Sequence, residues 1–248
     1  VIFSSFTAAS NEIVFNLKKI YPSSIVDTVK NMTPNILNKK ISLEGDSICY
    51  GAGYLGGYGK IIAEKYNMVL VNNAIAGGTI AIVPDKHCIC ESVELLPSDS
   101  DYIILEGGGN DASVGNNVPI GSLSDGFNAE LDKTTYYGAF EYMLKQLVTK
   151  FHGKKYGYIA CHTWAKKYSS FYTGDNNYYV AAKKCCEKWG VPFLDLNVQI
   201  PPFNQLRDND TYDTIRELYT KNGDGTHPTE EGYKKYYVPK IEAWLNSL

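Results

Sequence analysis

The pattern of hydrophobic and polar positions changes at about residue 40. Residues 1–17 alternate as a strand does, and Pro22 and Pro34 interrupt the stretch between there and residue 39. We therefore divide the chain into residues 1–39, an N-terminal extension or the end of a preceding module, and one domain over residues 40–248. The sequence of residues 1–39 indicates no function.

The domain alternates short apolar runs with amphipathic helical patterns. Apolar stripes at helical spacing cover residues 136–151, 178–189 and 233–248, the last with a kink or restart expected at Pro239. Strands that alternate with helices predict an α/β fold with a mostly parallel sheet covered on both faces. In such sheets ligands bind beyond the carboxyl ends of the strands. The predicted strands are residues 41–43, 68–72, 102–105, 156–161 and 193–196.

Composition and charge narrow the class of protein. With 44% hydrophobic and 21% charged residues and a net charge of −3, the chain is typical of a folded globular protein and indicates no nucleic-acid partner. Its apolar runs are too short to predict a membrane span. It starts Val-Ile-Phe without a basic leader, so we expect no signal peptide here. A longer extracellular or cell-surface parent protein stays open, as does the oligomeric state.

The cysteines do not predict a disulfide framework in a chain of this length. We expect Cys161, Cys185 and Cys186 to be buried thiols. The run His87-Cys88-Ile89-Cys90 has donor atoms for a metal but lacks a second pair at zinc-finger spacing. We therefore predict a loop without metal, and no cofactor for the chain.

Glycine-rich or polar runs follow the first three strands, and a fourth lies near the C-terminus. Each alone is also typical of an ordinary turn. In the fourth run, Asp224 stands three residues before His227 and can reach its Nδ1–H, which leaves Nε2 free as a base. Pro228 suits the first position of the final helix. The runs are Gly45-Asp46-Ser47, residues 72–79, Gly107-Gly108-Gly109-Asn110-Asp111 and Asp224-Gly225-Thr226-His227-Pro228.

Together the runs supply the parts of an acyl-transfer site. Ser47 is the candidate nucleophile, His227 its general base and Asp224 the group that orients the base. The backbone N–H groups of Ser47 and Gly77 and the side-chain amide of Asn110 are candidate donors to an oxyanion.

These residues resemble the four sequence blocks of the GDSL/SGNH hydrolases, over about residues 41–248. The resemblance implies a three-layer α/β/α sandwich with a flavodoxin-like five-stranded parallel sheet, and a serine esterase. It also implies the roles just given to Ser47, Asp224, His227, Gly77 and Asn110. Ile48 stands where the name motif has leucine. The second block can be aligned in two ways. If Asn72 matches the family's asparagine, the glycine of the oxyanion hole is Gly77, which we prefer. If Asn73 matches it, that glycine is Gly78.

Members of that family act on acetylated polysaccharides, lipids or thioesters. The sequence has no long apolar segment typical of a lid, and aromatic residues fall near the crevice loops. We therefore predict an esterase that removes short acyl groups, O-acetyl above all, from carbohydrate. Tyr54 and Trp164 are the candidate substrate-binding residues, although Trp164 is as readily a buried anchor of its loop. The expected sugar platform comprises Tyr50, Tyr54, Tyr58, Trp164, Tyr168 and Tyr172.

A lipid esterase or a thioesterase of the same family remains an alternative to the carbohydrate esterase, and three further alternatives remain beside it. Cys49 lies two residues from Ser47 and is a second candidate nucleophile. Residues 51–56 match G-x-G-x-x-G, the dinucleotide fingerprint of a nucleotide-binding oxidoreductase, but they do not follow the first strand directly, and we interpret them as a mobile rim beside Ser47. A non-catalytic carbohydrate-binding module of a larger surface or phage-tail protein is the third.

Overall fold

The computed structural model describes residues 34–113, 115–161, 164, 178–200 and 211–248. Its strands form one parallel sheet in the order β2-β1-β3-β4-β5, the flavodoxin-like order. All five predicted strands are confirmed, with ends that differ by no more than one residue. They are β1 (Lys40–Glu44), β2 (Val69–Asn72), β3 (Tyr102–Glu106), β4 (Lys155–Ala160) and β5 (Phe193–Asp195).

Helices cover both faces of the sheet, as predicted for a three-layer α/β/α sandwich. The two long helical stripes in the middle of the chain are confirmed as α4 and α5. The helices are α1 (Ser47–Tyr50), α2 (Gly57–Lys65), α3 (Ile89–Ser92), α4 (Tyr136–Lys150), α5 (Tyr178–Trp189), α6 (Leu196–Gln199), α7 (Thr211–Tyr219), α8 (Glu230–Gly232) and α9 (Val238–Ser247).

The central strand β3 explains why the core has two halves. All its residues are buried, and successive side chains of a strand point to opposite faces. Ile103 and Leu105 therefore join the apolar cluster beneath α4 and α5. Ile104 joins the cluster beneath α2 and α9. With both faces covered, only the ends of the strands are left to form a site.

The C-terminal helical stripe contains the expected interruption. A π-helical turn, Tyr233–Tyr237, precedes α9, and Pro239 lies in the first turn of α9. Proline has no N–H for the helical hydrogen bond, so the regular α-helix restarts there. The expectation that Pro228 opens this last helical segment is wrong. Its first helix, α8, begins at Glu230 with Thr229 as N-cap, because Pro228 is held in a β-bridge to Thr220.

Part of the segment predicted as an N-terminal extension packs on the domain. Ile36 is fully buried in the cluster beneath α2 and α9. The Asn38 N–H donates to the Tyr66 carbonyl at 3.0 Å. Residues 1–33, with the predicted strand pattern, lie outside the described residues. Among the residues that are described, no helix is both long enough and apolar enough to cross a membrane.

Candidate active site

Ser47 stands at the start of a helix that begins two residues after β1. Asp46 caps this helix, since its Oδ1 accepts the Ile48 N–H at 3.0 Å. The N–H groups of Asp46 and Cys49 both donate to Glu106 Oε2 at 3.2 Å, so the end of β3 holds the turn between β1 and α1 in place. The abrupt change from strand to helix leaves the Ser47 side chain partly exposed at the carboxyl edge of the sheet.

His227 and Asp224 meet Ser47 at this edge. Nε2 of His227 lies 3.0 Å from Ser47 Oγ, and its Nδ1 lies 2.7 Å from Asp224 Oδ2. The other carboxylate oxygen, Oδ1, accepts the N–H groups of Thr226 at 2.7 Å and His227 at 2.9 Å. Partial burial raises the pKa of Asp224, but these hydrogen bonds outweigh it and hold the pKa below its usual value.

Trp164 is the residue on which the sequence prediction fails. The side chain is 0% exposed and packs against the rings of Tyr236 and Tyr237, so it cannot stack on a sugar. The backbone N–H of Trp164 donates to the Gly225 carbonyl at 2.6 Å, inside the loop that carries Asp224 and His227. Trp164 therefore anchors that loop from the core, which is the other role that we considered for it.

The tyrosine platform is also only partly present. Tyr58 is 1% exposed and packs edge-on against Tyr233, so it belongs to the core. Tyr54 is half-buried, with Lys60 Nζ 5.2 Å from its ring centroid, and Tyr50 is exposed. The remaining two members, Tyr168 and Tyr172, lie outside the described residues.

The glycine-rich run at residues 51–56 packs directly on the histidine loop. A Cβ added to Gly53 would lie 2.2 Å from the Pro228 carbonyl oxygen and 2.7 Å from that of His227. Lys221 Nζ donates to the Ala52 carbonyl at 3.1 Å and fastens the same contact. Only glycine permits this approach, so the run helps to place His227. The match to a dinucleotide fingerprint concealed this role in the sequence.

The three candidate oxyanion donors belong to Ser47 itself and to the two loops that pack against its turn. The Asn110 amide donates to the Gly78 carbonyl at 2.9 Å, which fixes its plane, and it lies 3.5 Å from Asp46 Oδ2. The Gly78 N–H is committed to the Ile75 carbonyl at 3.0 Å. Within the described ranges, the N–H groups of Ser47 and Gly77 have no acceptor. The geometry thus favours Gly77 over Gly78 as the donor of this turn.

Asp111 holds the asparagine loop, a role that the sequence did not reveal. Its two carboxylate oxygens accept the N–H groups of Ile80 and Ala81, each at 2.8 Å. The residue is fully buried, and burial raises the pKa of its carboxyl to about 7 despite these bonds. The glycine-rich loop and the turn that carries Gly77 are therefore joined by one side chain.

Buried carboxyl groups beneath Ser47 were also missed. Burial raises the pKa of Asp46 and raises that of Glu106 well above its usual value. The negative charge of Asp46 adds to burial in raising the pKa of Glu106. A sequence signal does exist. Both β1 and β3 end an apolar run in glutamate, Glu44 and Glu106, and both side chains are buried.

Cys49 does not compete with Ser47 as the nucleophile. Cys49 is fully buried, and burial raises the pKa of its thiol well above the usual value, so it is unsuited to be the nucleophile. Cys161, Cys185 and Cys186 are buried and form no disulfide, as predicted. Throughout the described ranges, no group of three metal-ligating side chains comes together.

The chain is similar to known proteins in its sequence and in its fold. A sequence model of the GDSL-like lipase/acylhydrolase family matches residues 44–235. No curated protein matches the chain. The crystal structure of a protein from Lactobacillus plantarum is similar with a TM-score of 0.69 and 24% identity, over 86% of this chain and 99% of that one.

Two further crystal structures share the fold at lower identity. A lipase/acylhydrolase from Enterococcus faecalis has a TM-score of 0.55 at 16% identity, over 84% of this chain and 96% of its own. A carbohydrate acetylesterase family member from Sinorhizobium meliloti has a TM-score of 0.51 at 12% identity, over 85% of this chain and 100% of its own. At these identities the likeness establishes the architecture.

Proposed function

Since the chain belongs to the GDSL-like lipase/acylhydrolase family and hydrolyses ester bonds, we propose that Ser47, His227 and Asp224 are its catalytic triad. One observation carries the proposal. The imidazole of His227 stands 3.0 Å from Ser47 Oγ through Nε2 and 2.7 Å from Asp224 through Nδ1. Nucleophile, base and orienting carboxylate are thus within hydrogen-bond reach in the order that acyl transfer needs.

The reaction then runs in two halves. Ser47 Oγ attacks the ester carbonyl carbon while its proton passes to His227 Nε2, and the tetrahedral intermediate collapses by expelling the alcohol, which takes that proton. Water attacks the resulting acyl-serine with Nε2 again as the base, and the acid leaves. Asp224 keeps the Nδ1–H tautomer in place and stabilises the imidazolium that forms in each half.

The intermediate carries its negative charge on the former carbonyl oxygen. The backbone N–H groups of Ser47 and Gly77 and the Asn110 amide are the donors that we assign to it. Support comes from the absence of a competing acceptor for either N–H among the described residues, and from the hydrogen bond of 2.9 Å that fixes the Asn110 amide on the Gly78 carbonyl. Donors held in advance stabilise the charge without reorganising during the reaction.

For the substrate, we propose short acyl esters, O-acetyl above all, on a carbohydrate. The half-buried Tyr54 ring in the glycine-rich loop beside His227 supports a sugar-binding rim. The lack of a long apolar segment in the sequence argues against long acyl chains. Because Trp164 and Tyr58 lie in the core, the exposed Tyr50 and the half-buried Tyr54 are the aromatic members of this platform in the described region.

A series of p-nitrophenyl esters from acetate to palmitate tests this assignment, followed by acetate release from a panel of acetylated glycans. We expect kcat/KM to be highest for acetate, and glycan-bound acetyl groups to be released. A maximum at long chains would instead identify a lipid esterase, and preference for acyl thioesters a thioesterase. Glycan binding without turnover of any ester would identify a non-catalytic module.

Asn110→Ala separates transition-state stabilisation from substrate binding. The amide acts mainly as charge develops, so kcat should fall on the order of 10²–10³-fold with KM nearly unchanged. Steady-state kinetics with a saturating acetyl ester measure the effect. A preserved kcat with a raised KM or a lower melting temperature would mean that Asn110 only shapes its loop.

Gly53→Ala tests the contact that places His227. The added Cβ must displace the carbonyls of His227 and Pro228, and a shift of the base by about 1 Å can cost roughly 10²-fold in kcat. Gly126→Ala is the matched control, because a Cβ at Gly126 meets no atom within 4 Å. Equal kcat in the two variants would show that the glycine-rich run does not position the histidine.

A further inference from the structure

A carboxylate–imidazole pair outside the triad lies beside the turn that carries Gly77. Glu44, the last residue of β1, is fully buried, and its Oε1 accepts a hydrogen bond from His87 Nε2 at 2.8 Å. The same oxygen accepts the Gly45 N–H at 3.0 Å, two residues before Ser47. The other oxygen, Oε2, has no partner in the part of the chain that the structure describes. Among those residues, His87 is thus the one side chain that donates to this buried carboxylate.

His87 contacts the turn as well as Glu44. Its carbonyl accepts the Thr79 N–H at 3.0 Å. Its ring carbon Cδ2 would lie 3.2 Å from a Cβ placed on Gly78, so the ring packs against that residue. The Gly78 carbonyl in turn fixes the Asn110 amide at 2.9 Å. His87 therefore adjoins both the turn with the Gly77 N–H and the acceptor that orients Asn110.

A second connection runs alongside the pair. The Ile75 N–H donates to the Gly45 carbonyl at 3.0 Å, which joins the start of the same turn to the residue after Glu44. Glu44 and His87 thus close a short loop of contacts between the segment that leads from β1 to Ser47 and the turn that begins at Ile75. A change in the pair would shift the donors relative to the nucleophile.

We propose that Glu44 and His87 are positioning residues that set the distance between the Ser47 hydroxyl and the oxyanion donors Gly77 and Asn110. The inference rests on the proposed function. It assigns the pair no bond-making step, since His87 acts on the reaction only through Gly78 and its neighbours.

The charge of the pair makes the proposal testable by pH. The hydrogen bond that His87 donates to Glu44 raises the pKa of the His87 imidazole, and it outweighs the opposite effect of burial. Besides Glu44 on β1, the titratable group that faces the ring in the described residues is Cys88 beside it. The ion pair therefore persists to a higher pH than that of an ordinary histidine, and it is lost as the pH rises through the raised pKa. The buried carboxylate of Glu44 is then left without the positive charge of the imidazole beside it.

Variants of His87 and a distant histidine provide the experiment. His87→Phe keeps a ring against Gly78 but leaves Glu44 without a donor from the side chain. We expect kcat for an acetyl ester to fall by about 10- to 100-fold with KM within about twofold, because a small displacement of oxyanion donors acts on the transition state. His87→Gln restores an amide donor to Glu44 and should recover most of kcat. His152→Gln is the control, since His152 is exposed and its ring bonds the Thr149 carbonyl of its own helix end.

The pH profile distinguishes positioning from simple stability. Wild-type kcat should carry an alkaline decline that His87→Gln lacks, whereas a merely structural histidine would change the melting temperature and leave the profile of the folded enzyme intact. If His87→Phe does not fold, the pH profiles of His87→Gln and Glu44→Gln decide. Unchanged kcat in a folded His87→Phe, or superimposable profiles of wild type and His87→Gln, would overturn the inference.

Failure of the proposed function gives a different result. If wild type hydrolyses acetyl esters and Ser47→Ala does not, the triad holds, and an unchanged kcat in His87→Phe overturns the positioning role alone. If Ser47→Ala keeps the wild-type rate, or wild type turns over no ester, the proposed function fails and this inference with it.

Discussion

Ser47→Ala is expected to lower kcat for an acetyl ester by about 10⁶-fold, the loss seen when the serine of a triad is removed. Alanine has no oxygen to attack the carbonyl carbon, and His227 and Asp224 act only through that oxygen. The side chain is partly exposed at a helix start and fills no apolar space, so the fold should persist. Kinetics with a saturating ester, together with a thermal melt of the same preparation, measure both expectations.

Ser98→Ala is the matched control for this substitution. Ser98 is an exposed serine in the turn before β3, at the opposite edge of the sheet from Ser47. We expect wild-type kcat from it. If Ser47→Ala also turned over at the wild-type rate, the nucleophile would have to be another residue and the triad would be wrong.

Asp224→Asn is expected to cost about 10⁴-fold in kcat. The reason lies in the two acceptor roles of this carboxylate. Oδ1 accepts the N–H groups of Thr226 and His227, so the amide oxygen must take that place to keep both bonds. The amide nitrogen then faces His227 Nδ1 and donates to it, which puts the imidazole proton on Nε2. In that tautomer Nε2 cannot accept the proton of Ser47.

The pH dependence and two further variants complete this test. The hydrogen bonds that lower the pKa of Asp224 keep it ionised to a lower pH than an ordinary carboxyl, so protonation of Asp224 should reduce wild-type kcat only when the pH falls below the usual range of a carboxyl. His227→Ala should lose more activity than Asp224→Asn. Asp99→Asn, which removes only an exposed partner of Lys40, should leave kcat unchanged. Near-full activity in Asp224→Asn would reduce the triad to a dyad.

The sheet and the meeting of the four runs were predictable because both depend on local patterns. Apolar runs of strand length define β1 to β5, and the rule that parallel strands present their carboxyl ends at one edge brings Ser47 and Asn110 together. Asp224 and His227 lie within one turn of chain, so their contact could be predicted from spacing alone.

The errors concern aromatic residues whose burial depends on distant parts of the chain. Trp164 and Tyr58 lie near the predicted crevice loops, in local sequence patterns that are equally typical of residues that line a binding site and of core residues. What decides is the packing of Tyr233, Tyr236 and Tyr237 against them, and these residues come from the C-terminal helical segment. No local pattern contains that information.

Polar residues in the support of the site were missed for a related reason. An acidic residue at a strand end ordinarily indicates exposure to solvent. Glu44 and Glu106 are buried instead, because loops that pack over the strand ends supply donors such as the His87 ring and the Cys49 N–H. The sequence predicts Gly53 as part of a mobile rim. The carbonyls that require a glycine there lie far along the chain, at residues 227 and 228, so no local pattern indicates the contact.

Labelling with a serine-directed phosphonate, followed by peptide mapping in a mass spectrometer, tests the triad most directly. We expect one adduct per chain, on the peptide that contains Ser47, and much slower labelling in His227→Ala because the hydroxyl then lacks its base. Loss of esterase activity should parallel adduct formation. An adduct on Cys49 or on any other residue, or full inhibition with Ser47 unmodified, would contradict the assignment of Ser47 as the nucleophile.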